Sequence, residues 1–380
     1  SDEVGLYGKS VAKKVQLNDT VAESVCLTQN DGDEIYDDNL WLFSRKDING
    51  NVYSVGFFFD EKENLIAKQH AAFCFFPTKE VTGLNFILHA PFLLTDSREG
   101  IRAGVKHNKE MIELLSALAA DSLIYLRDIG KESGHSIIND EIFKIIPYDG
   151  SKFSDVNDKR KISFLPFYTA IKDKMGSEEL LPTVDGYTST QNAYLVEYSQ
   201  WANNCLTTNL FKNSQLARIT GNKDAKWVFS SLSRAEVLRN EKQLAGYLDS
   251  ITNDWLGQDK IISKIDSAFI EMQTIEWLHE FYKYISASKE RIKLVQKKPI
   301  FLNQDRKAVA AFDENRQPVL FFPAEDVNGY ETVNTLLLDN EDTVEFIRGL
   351  GIKEPSLRDE IYNIILPKYK AGGKIDTDPH

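Results

Sequence analysis

Two runs rich in Leu, Phe, Tyr and Val, Asn39 to Asp47 and Asn51 to Phe59, are joined through Ile48 and an Asn49-Gly50 pair. Asn and Gly tolerate the positive φ of a tight turn, so this arrangement predicts an antiparallel hairpin. Two further apolar runs, Ala72 to Phe76 and Leu84 to His89, are separated by Pro77 and Gly83 and are expected to extend the same sheet. After the irregular stretch from Thr95 to His107, apolar residues recur at Met111, Leu115, Leu118, Leu126 and Ile129 with near-helical spacing. Asn108 reads as the cap of that helix and Gly130 as its stop. Glu110 and Glu113 are placed in its first turn, where carboxylates interact well with unpaired N–H groups. The helix is expected to cover the sheet.

A polar stretch from Asp149 to Lys161 reads as a boundary. No proline occurs between Pro182 and Pro299, and Gln258 to Lys298 lacks glycine as well, so long unbroken helices are predicted there. Ile261, Ile265, Ala268, Met272, Ile275, Tyr282 and Ile285 would form one stripe that packs into a core. Near the end, Ala308 to Phe312 and Val319 to Phe322 flank Asp313 to Pro318 and read as strand, loop and strand. Two short helices, Asn340 to Leu350 and Ser356 to Leu366, are expected to close the chain. The fold class is therefore α+β. A sheet-plus-helix region (1–150) precedes a mainly helical one (151–297) and a small α+β region with a β-hairpin (298–380).

Composition narrows the function. The 380 residues, 42% hydrophobic and 27% charged, exclude collagen-like and wholly disordered chains and allow two or three cores. No apolar stretch approaches the roughly 18 residues that a membrane helix needs. The net charge of −12 argues against nucleic acid as the main partner, because a nucleic-acid binder sets many cations against phosphates. Cys26, Cys74 and Cys205 are too few and too scattered for a disulfide framework, which points to a reducing compartment and hence the cytoplasm. A start at Ser1 without a methionine is read as processing or as a piece of a longer polypeptide.

Most motif readings fail on spacing. Gly8-Lys9-Ser10 lacks the glycines of a phosphate-binding loop, and Gly134-His135-Ser136 is followed by Ile137 rather than the glycine of a nucleophile elbow. His70, Ala72 and Cys74 would share a strand face, but two ligands fall short of a zinc set, and a packed His and buried Cys explain them better. The acidic run Asp31, Asp33, Glu34, Asp37 and Asp38 lacks the order of a calcium loop and reads as solvated loop. His279 is placed beside the apolar stripe. No metal site is assigned. What remains is the segment from Thr95 to Lys109, where Arg98, Arg102, Lys106, His107 and Lys109 gather on a glycine-containing loop before a helix. Such a loop suits an anion, and arginine suits charge developing on a transferring phosphoryl group. As an isolated feature, a loop arginine is more often a surface ion pair.

The run from Phe73 to Leu115, FCFFPTKEVTGLNFILHAPFLLTDSREGIRAGVKHNKEMIELL, resembles the segment that follows the ATPase domain in sacsin-like bacterial proteins of the GHKL superfamily. Within it, LLTDSREGI followed by an Asn-led helix is similar to the catalytic loop in the middle domain of 90-kDa heat-shock chaperones. Leu181-Pro182-Thr183-Val184-Asp185-Gly186 and Gly351-Ile352-Lys353-Glu354-Pro355-Ser356-Leu357 are weaker echoes of the same sacsin-like family. The resemblance implies that Arg98 reaches the γ-phosphate of ATP, with Ser97 and Arg102 beside it. Arg102 stands where the chaperones place a phosphate-holding glutamine. It further implies that ATP and Mg²⁺ are held by a GHKL domain preceding this region. The chain lacks that domain's Asp-x-Gly-x-Gly turn, since Asp185-Gly186 is followed by Tyr187-Thr188 and Asp31-Gly32 by Asp33.

The expected function is thus the middle, transducing segment of a sacsin-like or heat-shock-90-like ATPase, inert alone. Its implied partners are the N-terminal ATP-binding domain of the same polypeptide and a client protein or sister subunit. The alternative is a non-catalytic scaffold for protein-protein interaction, with the arginine loop a surface feature.

Overall fold

A computed structural model describes residues 6–30, 35–153, 161–197, 207–324 and 329–356. The chain divides into two compact units, residues Ser1–Leu195 with Lys226–Trp255, and Val196–Ala225 with Leu256–His380. These bounds differ from the expected regions, 1–150, 151–297 and 298–380. The sequence boundary followed a polar stretch, whereas the packing of the first unit continues beyond it.

The first unit is built on an eight-stranded sheet. Its strands are β1 (Leu6–Leu17), β2 (Thr20–Asn30), β3 (Ile35–Lys46), β4 (Val52–Phe59), β5 (Leu65–Ile66), β6 (Ala71–Cys74), β7 (Phe76–Val81) and β8 (Ile87–His89). The order is β1-β2-β3-β4-β8-β6-β7, with β5 paired to β4. The expected hairpin is β3–β4, in register from Asn39↔Phe59 to Lys46↔Val52. Asp47 organises its turn by accepting the N–H groups of Asn49 and Asn51, and Gly50 takes φ 83°. Four strands of the sheet, β1, β2, β5 and β7, have no counterpart in the sequence reading. Asp37 and Asp38 lie in β3 opposite Thr28 and Leu27 rather than in a loop; Asp31, Asp33 and Glu34 lie outside the described residues.

Period-two alternation separates two faces. Phe43, Tyr53, Val55, Phe57 and Phe59 face the main core, while Val25, Leu40, Phe58 and Ile87 form a second small cluster on the other face. Helix α1 (Lys106–Ser133) covers the first face with Met111, Ile112, Leu115, Leu118, Leu123 and Leu126, all buried. It extends beyond both expected ends. Its N-cap is Val105, Asn108 is inside the first turn, no acidic residue lies in that turn, and the stop is Gly134 at φ 71°. Gly130 instead allows close approach: a Cβ there would lie 2.4 Å from the His135 carbonyl oxygen.

Helix α2 (Leu165–Ser177) packs on α1 and buries Phe167, Ile171 and Met175. Two short strand sets follow. β9 (Leu181–Thr183) pairs with β10 (Gly186–Thr188), while β11 (Ala193–Val196) lies between β12 (Lys226–Trp227) and β13 (Asp254–Leu256). A polar chain joins the main layers. Arg45 on β3 donates to Asp121 on α1 at 2.8 Å and to Thr20 on β2 at 2.7 Å, and Lys174 on α2 reaches the other Asp121 oxygen at 2.8 Å.

The second unit is mainly helical, with helices at Asn213–Thr220, Gln258–Ser263, Ser267–Glu271, Ile275–Ser286, Lys289–Val295 and Glu341–Gly349. The expected long helices are cut short. Asp266, Thr274 and Ser288 each cap the next helix by accepting its N–H, at Phe269, Trp277 and Arg291, so caps segment the chain where proline and glycine do not. The expected stripe is therefore broken: Ile261, Ile265, Tyr282 and Ile285 are buried, but Met272 is 68% exposed. An aromatic core of Phe211, Trp277, Phe281, Tyr282, Phe301 and Phe346 holds the unit together. The two arms of the expected strand-loop-strand meet at the Phe312↔Pro318 bridge and through the N–H groups of Asp313 and Val319, which donate to the Gln317 and Ala311 carbonyls; Ala308–Val309 pairs further with Phe301–Leu302, and Leu320–Phe321 with Glu331–Thr332. The first expected closing helix is Glu341–Gly349, and the second, beyond Ser356, lies outside the described residues. No helix among the described residues is long and apolar enough to cross a membrane.

Burial pushes the Asp121 carboxyl up, but the hydrogen bonds from Lys174 and Arg45 outweigh it and hold the group below the usual carboxylate range. A carboxyl with a depressed folded-state pKa contributes stability above its unfolded value, and that contribution disappears as pH falls through the folded value. We expect Asp121→Asn to cost about 1.5–3 kcal/mol at neutral pH, the range for a hydrogen bond to a charged group. In urea melts the gap between wild type and variant should shrink as pH falls below about 4.

Candidate functional site

The arginine loop hangs from the edge of the sheet and the start of α1. Leu94 and Ile101 bridge across its base, and the Thr95 N–H donates to the Gly100 carbonyl at 2.8 Å. The Arg98 N–H donates to the Thr95 carbonyl at 2.8 Å, closing a turn with Arg98 itself at φ 58°. Edge strand β7 holds one flank: the Lys79 N–H donates to the Glu99 carbonyl at 2.6 Å, and the Glu80 carboxylate accepts the Ile101 N–H at 2.9 Å. Gly100 allows this approach, since a Cβ there would lie 3.1 Å from the Glu80 carboxylate.

Asn108 holds the other flank. Its side chain is fully buried, accepts the Leu93 N–H and donates to the carbonyls of Leu93 and Arg102, each at 2.8 Å. His107 adds a contact to the Pro91 carbonyl at 2.9 Å. The residue read as a helix cap is thus the brace between helix and loop.

Charges around the loop are partly paired, and Lys109 in the first turn of α1 is exposed with no ion pair among the described residues. Arg102 pairs with Asp96 at 2.5 Å, Lys79 with Glu99, and Lys106 with Glu110 at 3.4 Å. Ser97 is exposed, its hydroxyl 3.2 Å from that of Thr95. Arg98 is exposed, and its guanidinium has no ion pair or hydrogen bond among the described residues. Of the three residues that the sequence singled out, Arg98 alone presents an unengaged charge, while Arg102 already holds a carboxylate. Asn108 and Glu80 were missed as loop supports. An Asn near a helix start reads first as a cap, and no local pattern links Glu80 to a loop some twenty residues away.

The other candidates are packed. His70 stacks on Phe58 at 5.2 Å and faces the second apolar cluster, whereas Cys74 packs on the main core and its thiol donates to the Phe92 carbonyl at 3.2 Å. The two do not share a face: strand β6 begins only at Ala71 and shifts register before Phe73, so alternation does not extend back to His70. Burial lowers the His70 pKa and raises that of Cys74. Among the described residues no group of three or more His, Cys, Asp or Glu could hold a metal ion. His279 bonds the Thr343 hydroxyl through Nδ1 at 2.8 Å. No protein-family model, curated protein or solved structure matches the chain.

A left-handed conformation costs an L-residue about 1–2 kcal/mol, partly offset in a glycine variant by about 0.5–1 kcal/mol of extra chain entropy. Arg98→Gly should therefore leave stability unchanged or raise it slightly, as measured by thermal melting. Asn108→Ala should accelerate amide exchange at Leu93, whose N–H loses its acceptor. An unchanged rate would mean that Asn108 does not brace the loop.

Proposed function

We propose that the chain is the middle, transducing segment of a cytoplasmic ATPase of the sacsin-like, heat-shock-90-like GHKL kind. In this reading a preceding domain of the same polypeptide holds ATP and Mg²⁺, and this chain supplies Arg98 to the γ-phosphate. The observation that carries the reading is the contrast at the loop tip. Arg102, Lys79 and Lys106 are paired, whereas Arg98 at the tip stands exposed, without a partner among the described residues, in a strained conformation that rigid supports impose. Strain of this kind persists where the surroundings over-determine it, and it clusters at functional sites.

The chemistry follows from electrostatics. A guanidinium stays protonated and offers parallel donors to two phosphoryl oxygens, and its effect is greatest when charge builds on them in the transition state. Because Asn108 and Glu80 fix the loop backbone, the donor arrives with little reorganisation. Arg102, engaged by Asp96, acts beside it only if that exposed pair opens. The main role of α1, which carries Asn108, is then to couple the loop to the sheet core, so that docking at the tip is felt by the rest of the unit. The helical unit is assigned to a client protein or sister subunit.

In the full-length protein, Arg98→Ala should lower the ATP turnover rate by about 10²-fold or more, as loss of one preorganised donor does. Nucleotide affinity should change much less, because the interaction is made chiefly in the transition state. Equal loss of turnover and affinity would contradict the role.

A further inference from the structure

The second face of the sheet, opposite α1, forms a concavity of about 1010 Å³. Ligand sites usually fall between about 300 and 1,000 Å³ and are mostly apolar with a few placed polar groups. Beneath it lies the buried cluster Val25, Leu40, Phe58 and Ile87, and the apolar floor open above that cluster comes from the half-buried Leu42 and Phe73 packed against it. Gly56 lies in the middle of that cluster, and a Cβ there would meet Leu40 Cδ1 at 2.6 Å, so the leucine lies flat across the backbone. Ser44 and Ser54 satisfy each other across the strands at 2.7 Å, and they leave the surface around them undemanding.

The two flanks of this face differ in chemistry. On the β1 side, Lys9 and Lys14 share one carboxylate, Glu23, at 2.8 and 3.0 Å. Two ammonium groups against one carboxylate leave a local positive excess in a chain of net charge −12. On the β6–β7 side stand Phe75 and Phe76, 75% and 78% exposed, an unusual cost for two adjacent large aromatics. Phe75 is held outward at φ 63°. Strands lie about 4.8 Å apart, so the floor from β2 to β6 is roughly 19 Å across, an apolar track between a cationic end and an aromatic end. His70 and His89 also line the track. Burial lowers the pKa of each, which favours the neutral imidazoles near neutral pH, and the Lys68 ammonium over the Phe58 ring is paired with Asp38.

We propose that this face binds a long-chain carboxylate, with its head group at Lys9 and Lys14 and its alkyl chain laid over the half-buried Leu42 and Phe73 towards Phe75. The charge gradient selects the occupant. A neutral apolar molecule would gain nothing from the β1 flank, and a hydrophilic anion would gain nothing from the track. Monomeric anion with an extended tail uses both ends.

Titration calorimetry of the 380-residue chain with laurate, kept monomeric, tests the assignment. A Phe75→Trp variant serves as a reporter, since the substitution falls on an exposed ring and adds fluorescence at the aromatic end. We expect saturable one-to-one binding with a blue shift of that tryptophan. Dodecanol should bind at least tenfold more weakly. Lys14→Gln leaves Lys9 to hold Glu23 and so preserves the fold, and it should weaken laurate binding severalfold while melting at the wild-type temperature. Absence of saturable binding, equal affinity for laurate and dodecanol, or an unchanged affinity in Lys14→Gln would overturn the proposal. So would flotation with phosphatidylserine vesicles by a chain that ignores monomeric laurate.

Discussion

Burial of one face of α1 against the sheet is the constraint from which the first unit follows. Met111, Leu115, Leu118, Leu123 and Leu126 sit over Phe43, Val55, Phe57 and Phe86 in one continuous core. At about 1.5–3 kcal/mol for each large apolar side chain taken out of water, this contact outweighs any single polar interaction in the unit. It also determines where the first turn of the helix lies. Because Met111 and Ile112 must face the core, Asn108 falls beneath the loop and can brace it. The ion pairs from Arg45 through Asp121 to Lys174 then fix how sheet, α1 and α2 are registered, a role of specificity more than of net stability.

The loop and the second sheet face put that frame to different uses. At the loop, rigid backbone contacts hold a cation away from every local carboxylate. On the opposite face, the same sheet sets the half-buried Leu42 and Phe73 above a buried apolar cluster, with lysines at one edge and exposed phenylalanines at the other. Phe75 and Arg98 are both non-glycine residues in the left-handed region. Both flank β7, to whose Lys79 N–H the carbonyl beside Arg98 is bonded. Asn18, Glu63 and the buried Phe229 of the same unit share that conformation, so what sets the β7 edge apart is that it carries two such residues, both with large exposed side chains.

Much of this architecture was legible in the residues. Asn49-Gly50 located the β3–β4 hairpin because a tight turn demands φ values that few residues accept. The apolar spacing from Met111 onward located α1 because a buried helix face repeats at its own period. β1 and β2 were not legible: Lys9, Lys13, Lys14 and Glu23 interrupt their alternation, and paired charges on a half-exposed sheet look like loop in one dimension. Helix lengths in the second unit were overestimated because the absence of Pro and Gly says nothing about Asp266, Thr274 and Ser288 acting as caps. At the site, Arg98 stood out by residue type and context. Its freedom from partners, and the bracing by Asn108 and Glu80, depend on contacts between distant segments that no local pattern encodes.

The central claim is that Arg98 is held ready for a phosphate bound elsewhere in the same polypeptide. The most direct measurement is a structure of the full-length protein trapped with Mg²⁺ and a non-hydrolysable ATP analogue. The account predicts the Arg98 guanidinium within hydrogen-bond reach of a γ-phosphate oxygen, about 2.7–3.2 Å, with the Asn108 brace unchanged. A nucleotide bound in that state with Arg98 still in solvent, or paired to a carboxylate of its own chain, would contradict it.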